Sequence, residues 1–477
     1  MREYDVDVAI LGAGTAGMAA YREARKYTDR VALIDGGPLG TTCARVGCMP
    51  SKLLIAAADA RHRAQELAPF GLTVGEVSVD GRAVMKRVRE ERDRFVGFVC
   101  DAIEGFDQSD FIRQNATFAD NNTLILGDGA RMTARATIIA TGSRPNIPKP
   151  FEVAGDRLIT NDDVFDWKDL PGSVAVFGAG VIGLELGQAL HRLGVRVRLF
   201  GRDNAVGPLS DPKVRESAAK TLGVDFPALW HADTEIDREG DEIVVRWTAN
   251  GETGEERFDY LLAATGRRAN VDTLGLENTT LELTDRGAPR YDSQSMRSGD
   301  CPIFIAGDAA VDLPLLHEAA DEGRIAGENA ARFPDAYRRA RRTPLGIVFS
   351  DPQIAIAGES HRDLTARGAA FQTGEVSFAD QGRARVMLVN KGLLRVYGDA
   401  ETGRLLGAEM IGPAAEHIGH LLSWAIASNL TVEEILARPF YHPVIEEGVR
   451  TALRNLNSAL GFGPNPPARC IDCGPGG

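Results

Sequence analysis

Positive charge is in the minority in this chain of 477 residues, which carries 54 Lys and Arg against 67 Asp and Glu. The net charge of −13 argues against a nucleic acid or an anionic membrane as partner, because both attract clustered positive charge. The basic run at residues 338–342 is short, and we interpret it as a solvated linker or domain edge. Long apolar runs are missing too, since none approaches the roughly 20 residues of a membrane span. With no basic and apolar leader at residue 1, the cytoplasm is the expected compartment.

Cysteine is also scarce, with six residues in the whole chain. Structural disulfides are rare in a reducing compartment, so two neighbouring cysteines, Cys43 and Cys48, indicate redox or metal chemistry. Their spacing is too long for a CxxC site. No further cluster of Cys and His accompanies them, so we expect no metal.

A nucleotide-binding pattern precedes these cysteines. An alternating apolar stretch runs into Gly12, Gly14 and Gly17, followed by an alanine-rich helical segment and a second apolar stretch that ends at Asp35. The first glycine permits a tight turn and the second lets the backbone approach a pyrophosphate. The third allows close packing of helix and strand, and the acid accepts from ribose hydroxyls. The region is therefore predicted to bind a dinucleotide.

The same pattern recurs in the second third of the chain. Gly178, Gly180 and Gly183 stand between an apolar stretch around 174–176 and another at 195–200. A simple dehydrogenase needs one dinucleotide site. Two sites indicate two dinucleotides that pass electrons between them.

Each glycine unit is followed by an apolar stretch that ends in Ala-Thr-Gly, at Thr141-Gly142 and at Thr265-Gly266. A small residue at such a point lets the backbone lie against a ligand or another strand. A further apolar stretch ends at Gly307-Asp308.

The cysteine spacing has a geometric consequence. Five steps along a regular helix rise about 7.5 Å, which exceeds the ~7 Å that a disulfide spans between Cα atoms. The oxidised segment therefore cannot be a regular helix, and Gly47 supplies the irregularity. A strained, accessible disulfide is of the reducible, catalytic kind. Two buried thiols or half of a metal site are the alternatives.

Residues 40–52 (GTTCARVGCMPSK) resemble the signature of the class I pyridine nucleotide–disulfide oxidoreductases, and the resemblance extends to FYHPVIEEGVRTAL near the C-terminus. The family includes dihydrolipoamide dehydrogenases, which the chain resembles most, as well as glutathione and mercuric reductases. It implies an α/β fold with two Rossmann-like domains and a C-terminal α+β dimerisation domain. The expected segments are FAD-binding 1–150, NAD(P)-binding 151–268, central FAD-binding 269–342, dimerisation 343–460 and a tail at 461–477.

The resemblance also implies roles for single residues. Cys48 would be the thiolate that faces the flavin, while Cys43 exchanges with substrate. Lys52 would lie near the flavin and pair with Glu185, where its charge stabilises the reduced flavin. Asp308 would hold the ribityl chain of FAD.

His442 is the predicted acid–base, in the run FYHPVIEEGV. A histidine can deprotonate a dithiol near neutral pH, and a carboxylate on its other ring nitrogen fixes the tautomer. The family pattern selects Glu447 over Glu446 as that carboxylate. It further implies that the histidine serves the disulfide of the other subunit, so the active unit is a homodimer.

The second ribose site departs from the family pattern of NAD-linked members, which have a glutamate there. Here the second strand is followed by Gly201, Arg202 and Asp203. A guanidinium in place of a carboxylate suits a 2′-phosphate, which favours NADPH over NADH. Asp203 could still accept from a 2′-hydroxyl.

The sequence thus predicts an FAD-dependent, NAD(P)-linked disulfide or dithiol oxidoreductase that acts on a small dithiol or disulfide or on a lipoyl-carrying protein. One alternative is a mercuric-ion or protein-disulfide reductase that loads substrate through Cys470 and Cys473, near the end of the chain. Those two thiols could equally be incidental. An alternative of another class is a non-catalytic FAD-binding protein.

Deletion of residues 469–477 tests the shuttle hypothesis. We expect turnover of dihydrolipoamide to stay intact, because a small dithiol reaches Cys43 directly. Turnover of a protein disulfide or a metal ion should fall, since electrons would have to pass through Cys470 and Cys473. Equal steady-state rates for the truncated and full-length enzymes on every substrate would make the tail inert.

Overall fold

The computed structural model describes residues 3–310 and 315–462. The elements up to residue 164 are β1 (Glu3–Leu11), α1 (Thr15–Ala24), β2 (Val31–Ile34), α2 (Thr42–Val46), α3 (Cys48–Gln65), α4 (Gly81–Glu104), β3 (Phe111–Ile112), β4 (Ala116–Phe118), β5 (Thr123–Leu126), β6 (Arg131–Ile139), β7 (Ser143–Pro145), β8 (Leu158–Ile159) and α5 (Asn161–Val164). Those that follow up to residue 269 are β9 (Ser173–Phe177), α6 (Val181–Arg192), β10 (Arg196–Phe200), α7 (Pro212–Leu222), β11 (Ala228–Leu229), β12 (Asp233–Glu239), β13 (Glu242–Ala249), β14 (Glu252–Phe258), β15 (Tyr260–Ala263) and β16 (Arg267–Ala269).

The remaining elements are β17 (Ile303–Ile305), α8 (Leu316–Arg332), β18 (Leu345–Val348), β19 (Gln353–Gly358), α9 (His361–Ala366), β20 (Phe371–Ser377), α10 (Gly382–Val386), β21 (Leu393–Asp399), β22 (Leu405–Gly412), α11 (Ala415–Ala427), α12 (Val432–Leu436) and α13 (Glu447–Leu460). Short 3-10 turns lie at Ala68–Phe70, Lys149–Arg157, Leu276–Asn278, Gly307–Ala310 and Phe378–Asp380. The fold is α/β, as predicted. Among the described residues, none of the helices has both the length and the apolar character for crossing a membrane.

The first sheet has the strand order β3-β2-β1-β6-β5-β4, with β17 paired to β6. Strand β1 runs parallel to both β2 and β6, and β17 runs parallel to β6. The buried run from Val8 to Leu11 occupies the centre of this sheet. Because parallel strands end at one edge, the loops that follow β1 and β6 meet there.

Helices α1 and α8 cover this sheet and touch each other through small residues. A β-carbon on Gly323 would lie 2.2 Å from the carbonyl oxygen of Ala16, and one on Gly327 would lie 2.4 Å from that of Ala20. These separations are far below van der Waals contact, so only glycine allows the two helix backbones to approach this closely. Helix α8 therefore completes the unit that begins at residue 3, although most of the chain lies between them.

The second sheet repeats the parallel arrangement in the order β11-β10-β9-β15-β8. Its central strand β9 is buried along its whole length, as expected of a parallel strand covered on both faces. The antiparallel strands β12, β13 and β14 form a separate sheet between β11 and β15 in the chain. The second glycine pattern thus lies at the edge of a second nucleotide-binding unit.

The third sheet is antiparallel, in the order β18-β19-β22-β21-β20, and packs against α11 and α13. The fully buried Glu409 on β22 joins this sheet to the second unit. Its carboxylate accepts from the backbone amides of Ser210 at 2.7 Å, Asp211 at 2.9 Å and His361 at 2.8 Å. Such a buried charge is tolerated because hydrogen bonds replace its hydration.

The interpretation of the basic run as a solvated linker is wrong for one of its members. The Arg341 side chain is only 19% exposed and pairs with Glu318 at 2.6 Å and Glu322 at 3.0 Å, two buried carboxylates of α8. Ion pairing with a buried helix face overrides the tendency of an arginine-rich segment to stay in water.

Candidate functional site

The loop after β1 has the geometry of a pyrophosphate-binding turn. Gly12 has φ +108°, and a β-carbon on it would lie 2.4 Å from the carbonyl oxygen of Ala140. A β-carbon on Gly17 would lie 1.8 Å from the carbonyl oxygen of Gly12, whereas one on Gly14 would meet nothing within 4 Å. Helix α1 begins directly after Gly14, and no side chain caps its first amides. This cradle fits the diphosphate of a dinucleotide.

The loop after β9 repeats this geometry. Gly178 has φ +110°, and its β-carbon would lie 2.3 Å from the carbonyl oxygen of Ala264. A β-carbon on Gly183 would lie 1.9 Å from Gly178, and one on Gly180 would again meet nothing within 4 Å. Helix α6 begins after Gly180 without a side-chain cap. The residues therefore fit a second dinucleotide.

Asp35 lies at the end of β2 beside the first loop. Its Oδ2 accepts from the amide of Ala13 and its Oδ1 from the amide of Gly37, both at 2.7 Å. These bonds fix the loop and the carboxylate together, and the predicted contact with ribose hydroxyls stays a prediction.

Each Ala-Thr-Gly segment lies against the stretch of chain that follows the other one. Thr141 Oγ1 donates to the carbonyl of Asn270 at 2.7 Å, and Thr265 Oγ1 donates to the carbonyl of Asn146 at 2.8 Å. Gly142 and Gly266 have φ values of +71° and +100°, and β7 pairs with β16 beside them. The sequence left open whether the backbone at these points lies against a ligand or against another strand. Contact with the paired strands β7 and β16 is present beside both segments.

Asp308 follows β17 at the same edge as the first loop. Its Oδ2 accepts from Ser143 Oγ at 2.7 Å, and Arg267 Nε donates to the same hydroxyl at 2.8 Å. The neighbouring Gly307 amide donates to Glu322 at 2.7 Å. The position of Asp308 is thus set by residues from both nucleotide-binding units.

The cysteine segment is interrupted at Gly47. Helix α2 ends at Val46 and α3 begins at Cys48, with Gly47 between them. A β-carbon on Gly47 would lie 3.0 Å from the carbonyl oxygen of Thr42 and 3.2 Å from the Cα of Cys43. The missing side chain therefore lets the two turns close on each other, with Cys43 and Cys48 present as free thiols.

The two thiols have opposite acidities. The hydrogen bond to Cys48, followed by burial, raises the pKa of Cys43 far above its ordinary value. The hydrogen bond from Cys43 lowers the pKa of Cys48 to about 7, with burial opposing and the charge of Lys52 assisting. The pair in its dithiol state therefore keeps a proton on Cys43 and carries its negative charge on Cys48.

Lys52 and Glu185 form an ion pair between α3 and α6. Lys52 Nζ lies 2.7 Å from Glu185 Oε2, and Glu185 is 4% exposed. The other carboxylate oxygen accepts from the amide of Phe349 at 3.0 Å, and the Lys52 ammonium lies 4.6 Å from the centre of the Phe349 ring. The pairing that the family resemblance implied is present in the structure, where it joins three distant segments of the chain.

His442 contacts Glu447 as the family pattern implies. Its Nδ1 lies 3.0 Å from Oε1 and 3.1 Å from Oε2 of Glu447, which is 3% exposed. The amide of Val444 and the guanidinium of Arg450 also donate to this carboxylate, so its position is fixed from three sides. The His442 side chain is 71% exposed and, within the described part of this single chain, contacts neither Cys43 nor Cys48 through a hydrogen bond.

Arg202 lies beyond the end of β10, with its side chain 91% exposed. Its Nε lies 3.7 Å from Asp203 Oδ2, and the amide of Asp203 donates to His231 Nδ1 at 3.1 Å. The guanidinium is therefore accessible to a ligand at the second glycine loop, and its carboxylate neighbour is accessible as well.

Sequence reasoning missed Asn161, a 5% exposed residue at the start of α5. Its Nδ2 donates to the carbonyl of Val46 at 2.7 Å, directly before the break at Gly47. The second unit thereby fixes the end of α2. No local sequence pattern predicts this contact, since the two residues are 115 positions apart.

Residues 6–323 match the family model described as pyridine nucleotide-disulphide oxidoreductase, and residues 345–453 match the model of its dimerisation domain. A dihydrolipoyl dehydrogenase of Geobacillus stearothermophilus is 31% identical over 469 residues, which cover 96% of this chain and 97% of that protein. A mercuric reductase of Staphylococcus aureus is 28% identical over 460 residues, which cover 94% of this chain and 82% of that protein.

Two solved structures show the same fold. The HOCl-induced flavoprotein disulfide reductase RclA from Escherichia coli aligns with a TM-score of 0.77 at 22% identity, covering 96% of this chain and 100% of that chain. LpdA from Mycobacterium tuberculosis aligns with a TM-score of 0.79 at 24% identity, covering 94% and 99%. At such identities the likeness concerns the fold alone.

The acidity of Cys48 generates a testable pH dependence. Its lowered pKa implies that the thiolate–flavin charge-transfer band of the two-electron-reduced enzyme appears as the pH rises through about 7. Lys52→Met should move this midpoint upward, because it removes a charge that stabilises the thiolate. Absorbance titration measures the midpoint, and Lys86→Met, which removes an exposed ion pair with Glu90 on α4, is the control. An unchanged midpoint in Lys52→Met would contradict the assignment.

Proposed function

This chain belongs to the pyridine nucleotide–disulphide oxidoreductases, and from that premise we propose that it is an FAD-dependent, NAD(P)-linked disulfide or dithiol oxidoreductase of the dihydrolipoyl dehydrogenase type. The observation that carries the proposal is the pair of free thiols, Cys43 and Cys48, on either side of the break at Gly47. The lower pKa of Cys48 makes it the better leaving group when a disulfide between the two opens. The two matching glycine cradles suit FAD and a pyridine nucleotide.

FAD, when bound, would accept hydride from the nicotinamide or return it, and would exchange two electrons with the cysteine pair. Gly12, Gly14 and Gly17 would hold its diphosphate, with Asp308 and Thr141-Gly142 at the same edge. Gly178, Gly180, Gly183 and Gly266 would serve the nicotinamide dinucleotide in the second unit. Lys52 would hold positive charge beside the ring, and Glu185 would keep that charge oriented.

The exchange with an external dithiol follows from the cysteine chemistry. With Cys43 and Cys48 joined as a disulfide, a substrate thiolate attacks Cys43 and releases Cys48 as a thiolate. The second substrate thiol then displaces Cys43, so that one substrate disulfide forms as the enzyme disulfide opens. His442 would take the substrate proton on Nε2, because its Nδ1 faces Glu447.

The match of residues 345–453 to the family's dimerisation domain supports a homodimer. We propose that His442 serves the cysteine pair of the partner subunit. Its exposure in the single chain supports this, because a general base fixed by a buried carboxylate yet open to solvent is placed for a site on another surface. The neighbouring Tyr441 is 78% exposed and fits the same interface.

The substrate is a small dithiol or disulfide, or a lipoyl group on a carrier protein, in the first form of the proposal. A second candidate function is the reduction of a thiophilic metal ion or a disulfide, and the similarity to the mercuric reductase of S. aureus supports it. Cys470 and Cys473, which that candidate would use, lie outside the described residues. We place the enzyme in the cytoplasm, where reduced thiols persist.

Cys48→Ser tests the proposed function. FAD should stay bound, because the glycine cradle does not involve the thiol, while turnover and the charge-transfer band should be lost. Steady-state assays with dihydrolipoamide, glutathione disulfide, thioredoxin and mercuric ion measure turnover, and absorbance spectra measure FAD content. Cys100→Ser is the matched control, since no hydrogen bond links Cys100 to the pair in the described part of the chain. Near-normal activity of Cys48→Ser would refute the mechanism, and a wild-type enzyme without the band or turnover would favour a non-catalytic flavoprotein.

Nucleotide choice is the finer part of the proposal, and we assign NADPH on the basis of Arg202. An exposed guanidinium at the second ribose position can form charge-assisted hydrogen bonds with a 2′-phosphate. The adjacent Asp203 keeps some capacity for NADH, so the expected preference is moderate.

Arg202→Glu should weaken NADPH far more than NADH, because it replaces attraction to phosphate by repulsion. A charged hydrogen bond is worth about 1.5–3 kcal/mol, so kcat/KM for NADPH should fall about ten- to a hundredfold. Lys220→Glu on α7 gives the same change in net charge and serves as the control. A large NADH preference of the unmodified enzyme would reject the assignment.

A further inference from the structure

Phe349 contacts both members of the Lys52–Glu185 pair. Its ring centre lies 4.6 Å from Lys52 Nζ, and its backbone amide donates to Glu185 Oε1 at 3.0 Å. Glu185 Oε2 lies 2.7 Å from the same ammonium. Phe349, the residue that follows β18, therefore contacts the cation through its ring and the carboxylate through its amide.

A lysine needs such a contact to be held in one place. Its ammonium sits on a flexible four-carbon stem, and a single carboxylate limits its distance while leaving its direction free. The face of an aromatic ring attracts the ammonium from a second direction, and this attraction grows as water is excluded. Lys52 is 32% exposed, so the ring acts on a partly desolvated charge.

The ring itself is held by the loop that follows it. The backbone amide of Asp351 donates to Gln188 Oε1 at 2.8 Å, and Gln188 Nε2 donates to the carbonyl of Asp351 at 2.9 Å. The Asp351 carboxylate also pairs with Arg192 at 2.9 Å. Glu185, Gln188 and Arg192 occupy one face of α6, so this face fixes the loop and the ion pair together.

The groups that face the Lys52 ammonium come from three elements. Glu185 lies on α6, Phe349 follows β18, and Ser51 Oγ lies 3.4 Å away on α3. The charge of Lys52 lowers the pKa of both cysteine thiols. A change in the position of this ammonium should therefore alter the acidity of the Cys48 thiol.

We propose that Phe349 is a positioning residue, which holds the Lys52–Glu185 pair so that the ammonium faces Cys48 and the flavin. The ring acts on the lysine and the main-chain amide acts on the carboxylate. The inference rests on the proposed function, because it assumes that Lys52 stabilises negative charge on the thiolate and the reduced flavin. It adds that a residue next to the dimerisation sheet takes part in setting the redox properties of the site.

Phe349→Leu keeps the amide and most of the apolar volume but removes the ring. In the two-electron-reduced holoenzyme, the midpoint of the charge-transfer band should rise by about half a pH unit, which is the shift that a contact of this strength supports. The flavin midpoint potential should become more negative, because negative charge on the reduced flavin is less well stabilised. Phe349→Tyr should restore both values, since it keeps the ring.

Phe106→Leu is the matched control, because Phe106 carries a similar contact with Arg22, at 5.0 Å, outside the redox site. It should lower stability without moving the band midpoint or the potential. If Phe349→Leu fails to bind FAD or to fold, Phe349→Met serves as the second variant without a ring. Combining either variant with Glu185→Gln should give a non-additive shift, because both changes act on one ammonium.

The outcomes separate the inference from the proposed function. A wild-type enzyme that shows no charge-transfer band on reduction would refute the proposed function. A wild-type enzyme with the band, together with unchanged midpoint and potential in Phe349→Leu and Phe349→Met, would overturn the role of Phe349 alone. Equal shifts in Phe106→Leu would overturn it as well, because they would show a general loss of packing.

Discussion

The ion pair between Lys52 and Glu185 is the contact on which the site depends. It joins α3, which begins at Cys48, to α6, which begins at the second glycine loop, and the amide of Phe349 adds the loop between β18 and β19 of the third sheet. A buried carboxylate without its cation would be costly, so the three segments are stable only in one mutual arrangement. After the hydrogen bond from Cys43, the same cation also lowers the pKa of Cys48. One charge pair therefore contributes both to the arrangement of the segments and to the acidity of the thiol.

Hydrogen bonds between the two nucleotide-binding units are a second constraint on their relative position. Thr141 and Thr265 stand at equivalent places in the two nucleotide-binding units. Thr141 donates to the carbonyl of Asn270, just after β16, and Thr265 donates to that of Asn146, just after β7. Asn161 of the second unit holds the end of α2 in the first. Since electrons must pass between two dinucleotides and a cysteine pair, a fixed relation between the units is a functional requirement as well as a structural one.

The parts that could be predicted from the sequence are those with a local pattern. The glycine loops need three glycines at fixed spacing, and Gly47 marks the point where the helix is interrupted, so both features could be read from the sequence. Asn161, Glu409 and Phe349 were not, because each acts through partners more than 40 positions away, and their residue types have no special spacing. Arg341 was misread as solvated because its buried partners lie on a helix earlier in the chain. Local propensity carries no information about such pairings.

The split of the first sheet has a consequence for biosynthesis. Strand β17 and helix α8 belong to the unit that begins at residue 3, yet the ribosome makes them only after the whole second unit. The inserted unit can close before its host, and the face of α1 that carries Ala16 and Ala20 stays uncovered until α8 emerges. The second unit can then fold before the first unit is complete, although the first unit begins earlier in the chain. Until α8 is made, the nascent chain exposes an apolar face of α1. Fast translation through the second unit, or a chaperone bound to α1, would shorten or shield that exposure.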